Sequence, residues 1–281
     1  DEPTTPFPRP APSTVQLAAD AARHRARALR RVPAAVARWT RAVLGARRLS
    51  MARAPRTSIN RETGPRRRFA VVRSDLARVH EVALRHGVTV NDVVLTAVGG
   101  ALGRLLAGRG EHIDHLVVSM PVAGQPTAGG ELGNHVGVVP VVVPTVGPWS
   151  QRVHAVAGAT RIAKGSASEG SATLVHEAFR LLAALRVFRR MIRCQRLVNT
   201  FVTNLHGPGS SLAMLDRPIT DIVAISPITG NVGVAVAVLS YAGMLELTLV
   251  ADPDLCPDLD TLRDALEAEL GVVIGPEAAP G

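Results

Sequence analysis

Lysine is nearly missing from this chain: Lys164 is the only one among 32 basic residues, and the rest are arginine. Such a bias suits an Arg-, Ala- and Gly-rich proteome as well as phosphate recognition, so the net charge of +9 argues little for a nucleic-acid partner. Aromatic residues are also scarce, at 3% (Phe 5, Trp 2, Tyr 1). That leaves no stacking platforms for single strands and no aromatic interleaving among the arginines, and nucleic acid is not an expected partner. Cys194 and Cys256 are the only cysteines. Their unrelated contexts exclude a disulfide scaffold and give no metal-ligand spacing, and a reduced, cytoplasmic setting is expected. Phosphate loops are missing too, since Gly207-Pro208-Gly209-Ser210-Ser211-Leu212 lacks the third glycine of a dinucleotide fingerprint. Gly165-Ser-Ala-Ser-Glu-Gly170 has the wrong spacing for a nucleophile elbow. The stretch Asp1-Glu-Pro-Thr-Thr-Pro has no apolar core, and a secretory signal is not expected in it. The apolar stretches at 136–146 and 222–251 are cut by Pro140, Pro144, Pro227, Asn231 and Asp252. Neither reaches the roughly 20 residues of a membrane span.

What is present is apolar bulk. With 281 residues, 47% hydrophobic and 20% charged, the chain can bury a large core without metal or disulfide staples. Its charge is divided unevenly. Residues 1–75 carry 17 arginines and 5 acids, a balance of +12, while 76–281 carry 15 basic and 18 acidic residues, a balance of −3. Residues 1–13, with Pro3, Pro6, Pro8, Pro10 and Pro12, have the composition of an interdomain linker, and polypeptide upstream of them is expected. Residues 14–65 are expected to form an Arg/Ala-rich, mainly helical connection, 66–275 one α/β domain, and 276–281 a tail.

Periodicity supplies the elements. Helix is predicted over 14–50 with a break at Pro33, followed by a breaker-rich loop at 51–67. A short strand Arg68–Val72 leads to a helix over 75–86 that Ser74 caps and Gly87 stops. Thr89 caps a nearly all-apolar helix running to about Ala107, buried on most sides. Strands follow at Leu116–Val122 and Val136–Val143, then helices at Trp149–Lys164 and Ala172–Leu197. Asn199–Leu205, Ile219–Ile225, Val232–Tyr241 and Leu245–Ala251 alternate as strands, with Ala242-Gly243 a hairpin turn and Asp258–Leu270 a closing helix. One mixed sheet covered by helices is the economical architecture.

Three groups of polar residues merit attention. His112 and His115 fall in a polar stretch before a strand, where solvent exposure outweighs metal ligation. Asn91 and Asp92, at the mouth of the apolar helix, are either caps for free backbone N–H groups or groups aimed into a cleft. In Thr203-Asn204-Leu205-His206-Gly207-Pro208-Gly209 a strand ends in a compact turn, where His206 is either an exposed turn residue or a general base.

Thr89-Val-Asn91-Asp92-Val-Val-Leu, Leu132-Gly-Asn-His-Val136 with its Val-Pro-Val-Val-Val-Pro strand, Asn204-Leu-His-Gly-Pro208, and Leu239-Ser-Tyr-Ala-Gly243 with Ala251-Asp252 occur in an order and spacing. That pattern resembles the C-terminal half of the bacterial wax ester synthase/diacylglycerol acyltransferases over about residues 66–272. The resemblance implies a fold like chloramphenicol acetyltransferase, two α/β halves with a tunnel between them. In it acyl-CoA, as substrate with no further cofactor, meets a long-chain alcohol or diacylglycerol.

The family's general base is the second histidine of a His-His-x-x-x-Asp-Gly motif in the N-terminal half. None of the nine histidines here has Asp four positions on, so no catalytic residue is assigned in this chain. The base is expected on the N-terminal half of the same enzyme, and the chain alone is expected to be inactive. By the same resemblance Asn91, Asp92, Asn204, Gly207 and Pro208 would shape the site. Where the family commonly has Asn-Val-Pro-Gly-Pro this chain has Asn204-Leu205-His206-Gly207-Pro208, and Ala123-Gly124-Gln125 replaces a frequent Ser and Arg. The alternative reading is a non-catalytic binding or scaffolding relative. The Arg-rich segment is a candidate for peripheral attachment to an anionic inner-membrane or lipid-droplet surface.

Overall fold

The computed structural model describes residues 13–23, 53–123, 136–166 and 188–274. The chain divides into two units, 1–50 and 51–281. In the first, residues 14–23 form a helix (α1) that is exposed throughout, with Arg23 paired to Asp20 at 2.7 Å. The rest of the expected helix over 14–50 lies outside the described residues, as do most of Ala172–Leu197 and the loop between the Leu116 and Val136 strands.

The second unit is a six-stranded mixed sheet. Its strands are β1 (Arg68–Asp75), β2 (His115–Ala123), β3 (Val136–Pro144), β4 (Thr200–His206), β7 (Val234–Tyr241) and β8 (Met244–Ala251), in the order β1-β8-β7-β4-β2-β3. A separate two-stranded hairpin, β5 (Ala213–Met214) with β6 (Arg217–Pro218), stands in solvent. The β4–β7 and β2–β4 pairings are parallel and the others antiparallel.

Among the described residues the helices of this unit are α2 (Leu76–Arg85), α3 (Val90–Gly108), α4 (Trp149–Ser166), α5 (Phe188–Cys194) and α6 (Leu259–Ile274). One core joins Val72, Val118, Val202, Val236, Val238 and Leu247 of the sheet to Leu95, Leu102 and Leu106 of α3 and Leu262 and Leu266 of α6. Burying each such leucine is worth roughly 1.5–3 kcal/mol. By length and composition α3 could cross a membrane, at a mean hydropathy of 1.3, but 72% of that window is buried inside the fold. It is the core helix of the sheet.

Several boundaries differ from expectation. β1 runs on to Asp75, still paired with Met244, so the cap of α2 is Asp75 and not Ser74. Strand alternation explains the shift. Ser74 is turned inward and buried, while Asp75 faces out and accepts from Ala77 N (2.7 Å) and Arg78 N (3.2 Å). His115, expected in a loop, is the first residue of β2 and half-buried; His112 is exposed. The segment from residue 53, assigned to the connection from sequence, packs into the sheet unit. Ala54, Thr57 and Ile59 are buried, and Asn60 Nδ2 donates to Asn199 O (2.8 Å) and Asn231 O (3.1 Å).

The expected strand Ile219–Ile225 pairs with no other strand among the described residues. Its alternation is real: Ser226 and Ile228 are buried while Val223 and Ile225 are exposed. However, β7 and β8 already have two neighbours each, so this segment crosses the sheet face away from the main core as a strap. Ile228 packs there with Ala235 and Val250, and the Tyr241 hydroxyl donates to Ile219 O at 2.7 Å.

Candidate functional site

The strand ends of β4 and β7, the β7–β8 turn and the first turns of α2 and α3 converge at one end of the sheet. Register decides which side chains meet there. His206 lies opposite Ser240, Asn204 opposite Val238, and Ser240 opposite Leu245, so Asn204, His206, Ser240 and Leu245 share the helix-covered face. With Leu76, Ala77 and His80 of α2, Val90 of α3 and Gly243, they line an open, mainly apolar cleft of about 430 Å³. That volume lies within the usual range for small-molecule sites.

The turn that floors the cleft is held tightly. Ala242 and Gly243 have φ of 45° and 84°, the pair of left-handed conformations that a two-residue hairpin turn demands. Gly243 O accepts the Leu76 N–H at 3.0 Å, tying the turn to the start of α2. Gly207 and Pro208 brace the same corner. Gly207 N donates to Ser240 O at 2.9 Å and Ala242 N donates to Pro208 O at 3.1 Å. A Cβ on Gly207 would stand 2.5 Å from Ser240 O, so only glycine allows the approach.

Asn91 and Asp92 diverge. Asp92 is buried and completes a capping box with Thr89, its Oδ2 accepting from Thr89 N (2.9 Å) and Thr89 Oγ1 (2.7 Å). Its Oδ1 accepts from Thr160 Oγ1 of α4 at 2.7 Å. Asn91, half-buried, points the other way. Its Oδ1 accepts from Asn204 Nδ2 at 3.4 Å, and its Nδ2 stands 3.1 Å from the Met120 sulfur.

This arrangement can bind and polarise an oxygen. Each amide carries two N–H donors: Asn204 gives one to Asn91, and Asn91 gives one to a thioether, a weak acceptor, so each keeps a second. His206 is exposed on the cleft rim, and among the described residues no side chain hydrogen-bonds its imidazole. The structure therefore gives it none of the orientation a general base needs. Among the described residues no cluster of three His, Cys, Asp or Glu side chains could hold a metal.

A perturbed carboxyl group lies on the far side of the sheet. Glu246 of β8 is pushed up to about 7, first by burial and then by its hydrogen bond with Asp221 of the strap, with Arg73 opposing. Of the residues singled out in the sequence, Asn91, Asn204, His206, Gly207 and Pro208 meet at the cleft end of the sheet. Ala77, His80, Val90 and Leu245 line the cleft without any sequence signal, because strand register and helix placement alone bring them there.

Two family models match the chain: the WS/DGAT C-terminal domain over residues 132–273, and the wax ester synthase/diacylglycerol acyltransferase catalytic domain over residues 2–94. A protein of Mycobacterium tuberculosis strain H37Rv, named provisionally as a diacylglycerol O-acyltransferase, is 31% identical over 252 residues, covering 85% of this chain and 50% of its own. A probable diacylglycerol O-acyltransferase of the same strain is 31% identical over 220 residues, covering 75% and 47%. Among solved structures, a wax ester synthase/diacylglycerol acyltransferase from Marinobacter aquaeolei VT8 superposes with a TM-score of 0.64 at 23% identity, covering 79% of this chain and 53% of its own. The PapA2 acyl transferase superposes with a TM-score of 0.51 at 14% identity, covering 88% and 55%. At these identities the structures share the fold, a chloramphenicol acetyltransferase-like α/β sandwich. The chain spans about half the length of the curated relatives it matches.

Proposed function

The chain belongs to the wax ester synthase/diacylglycerol acyltransferase family, and on that premise we propose that it forms the C-terminal half of an acyl-CoA-dependent O-acyltransferase. Its acceptor is diacylglycerol or a long-chain alcohol, and its product a triacylglycerol or wax ester. The observation that carries this reading is the amide pair Asn91–Asn204 at the end of an apolar cleft. The pair offers N–H donors to an acyl oxygen, and the cleft offers hydrocarbon surface beside them.

In the proposed reaction a histidine of the N-terminal half takes the proton of the acceptor hydroxyl. That oxygen attacks the thioester carbonyl, the carbonyl oxygen becomes an oxyanion, and amide N–H groups aimed at it lower the barrier. Collapse of the intermediate forms the ester and expels the CoA thiolate, which recovers the proton as free thiol. Asn204 is the donor with an N–H to spare, Asn91 holds its orientation, and Gly207 and Pro208 brace the corner that carries both. Asp92 acts at one remove, by fixing the first turn of α3.

The proposed setting is cytoplasmic, with arginines of residues 1–75 contacting anionic lipid. Vesicle flotation at low and moderate salt tests that part, and no binding at either salt rejects it. The activity itself is tested by joining this chain to the N-terminal half of one of the mycobacterial relatives. The joined protein is supplied with labelled palmitoyl-CoA and either diacylglycerol or hexadecanol. Labelled neutral ester supports the reading. A folded joined protein that makes none with either acceptor overturns it.

A further inference from the structure

We propose that Ala77 sets the length of the hydrocarbon chain the cleft accepts, an inference that rests on the acyltransferase reading above. Asn204 belongs both to the amide pair and to the cleft wall, so the apolar space begins where the reacting oxygen would be held. From there the wall is Leu245 and Val90 on the sheet and α3 side and Leu76 and Ala77 on α2.

Its two smallest members are neighbours. Gly243 O accepts the Leu76 N–H at 3.0 Å, which places the glycine one residue from Ala77. A Cβ built on Gly243 would meet nothing within 4 Å, so the space beside the turn is open. Gly243 cannot easily close it, because its φ of 84° disfavours any side chain. Closure therefore depends on position 77. The backbone there is fixed by Ala77 N donating to Asp75 Oδ1 at 2.7 Å, which also fixes where a larger side chain would project. The site is exposed and helical, so leucine there costs the helix little. The ligand chemistry is a linear alkyl chain, which the acyl thioester and the alcohol share.

The test uses this chain as it stands and reads binding, not turnover. A pyrene-labelled fatty acyl probe is displaced by acyl-CoA thioesters of 8 to 18 carbons in one arm and by the matching 1-alkanols in the other, all below micelle formation. Each methylene that enters the cleft strengthens binding roughly fourfold, about 0.8 kcal/mol. For Ala77→Leu and Ala77→Phe the rise with length stops several carbons earlier than in the parent. Leu84→Phe, which adds bulk two turns along α2 outside the cleft, leaves the series unchanged. Truncation in the thioester arm assigns the cleft to the acyl chain, and truncation in the alkanol arm to the acceptor. Identical series for parent and Ala77→Leu in both arms, with circular dichroism unchanged, overturn the proposal, as does a parent that binds neither. That failure would leave ester formation by the joined enzyme untouched, whereas failure of ester formation would leave the binding series standing.

Discussion

Asn204 Nδ2 lies 3.4 Å from Asn91 Oδ1 although 113 residues separate the two in sequence. One side chain lies near the end of β4 and the other in the first turn of α3, and Asn91 also touches Met120 of β2, the parallel neighbour of β4. If the pair presents a donor to the acyl oxygen, Asn204→Ala lowers kcat of the joined enzyme by about 10²-fold, the usual cost of one such donor. Asn91→Ala lowers it less. The double variant is little worse than Asn204→Ala alone, because the two act as one unit. Steady-state kinetics on all three, with melting temperatures as a folding check, measure this coupling. Additive losses would separate the roles.

Asp92 should report on stability and not on chemistry. Its carboxylate accepts three hydrogen bonds, from Thr89 N, Thr89 Oγ1 and Thr160 Oγ1. Replacement by Ala removes the capping box and leaves the buried Thr160 hydroxyl only its bond to Ala157 O (3.1 Å), at a cost of about 1–2 kcal/mol. Thermal melts of Asp92→Ala should show that loss, and turnover per folded molecule should stay within about threefold of the parent.

Gly207→Ala forces a Cβ into the Ser240 carbonyl. The corner must then open, and the Ala242 N to Pro208 O bond lengthens with it. Overpacking of this kind typically costs ~1–3 kcal/mol. Denaturant titration should find it, together with faster amide exchange at Ala242.

Glu246 makes stability depend on pH. Burial first, then its hydrogen bond with Asp221, raises its carboxyl from 4.5 to about 7. Between those values the unfolded chain has released a proton that the fold keeps, so stability falls as pH rises from 4.5 and levels off above about 7. Asp221 runs the other way. Its hydrogen bond with Glu246, and then Arg73, hold its carboxylate below 3.8, so its contribution is present above that value and lost on acidification. Glu246→Gln keeps the shape without the charge. Melting temperatures from pH 4.5 to 8 should therefore decline less than in the parent, with the variant ahead at pH 8. An unchanged slope would remove Glu246 as its source.

Much of the architecture is legible in sequence where the signal is local. Thr89 announces the start of α3 as its cap, and Ala242-Gly243 announces the β7–β8 turn. The strap over 219–228 is misjudged because alternation reports a two-faced environment, and a segment lying across a sheet has one without joining the ladder. Asp75 displaces Ser74 as cap for a similar reason: pairing with Met244 extends the strand, and tertiary pairing is invisible locally. At the cleft, Asn91 and Asn204 are recognisable as polar residues at element ends, but their meeting depends on strand order. Ala77 and His80 carry no mark, since an alanine and a histidine on an exposed helix face are ordinary until register places β4 and β8 beside them.

The most direct test of the account is to assay this chain by itself and then with a family N-terminal half supplied as a separate polypeptide, using labelled acyl-CoA and diacylglycerol. No ester above background is expected from the chain alone, and ester forms once the companion half, carrying the base, is added. Ester formed at an undiminished rate by the chain alone would contradict it.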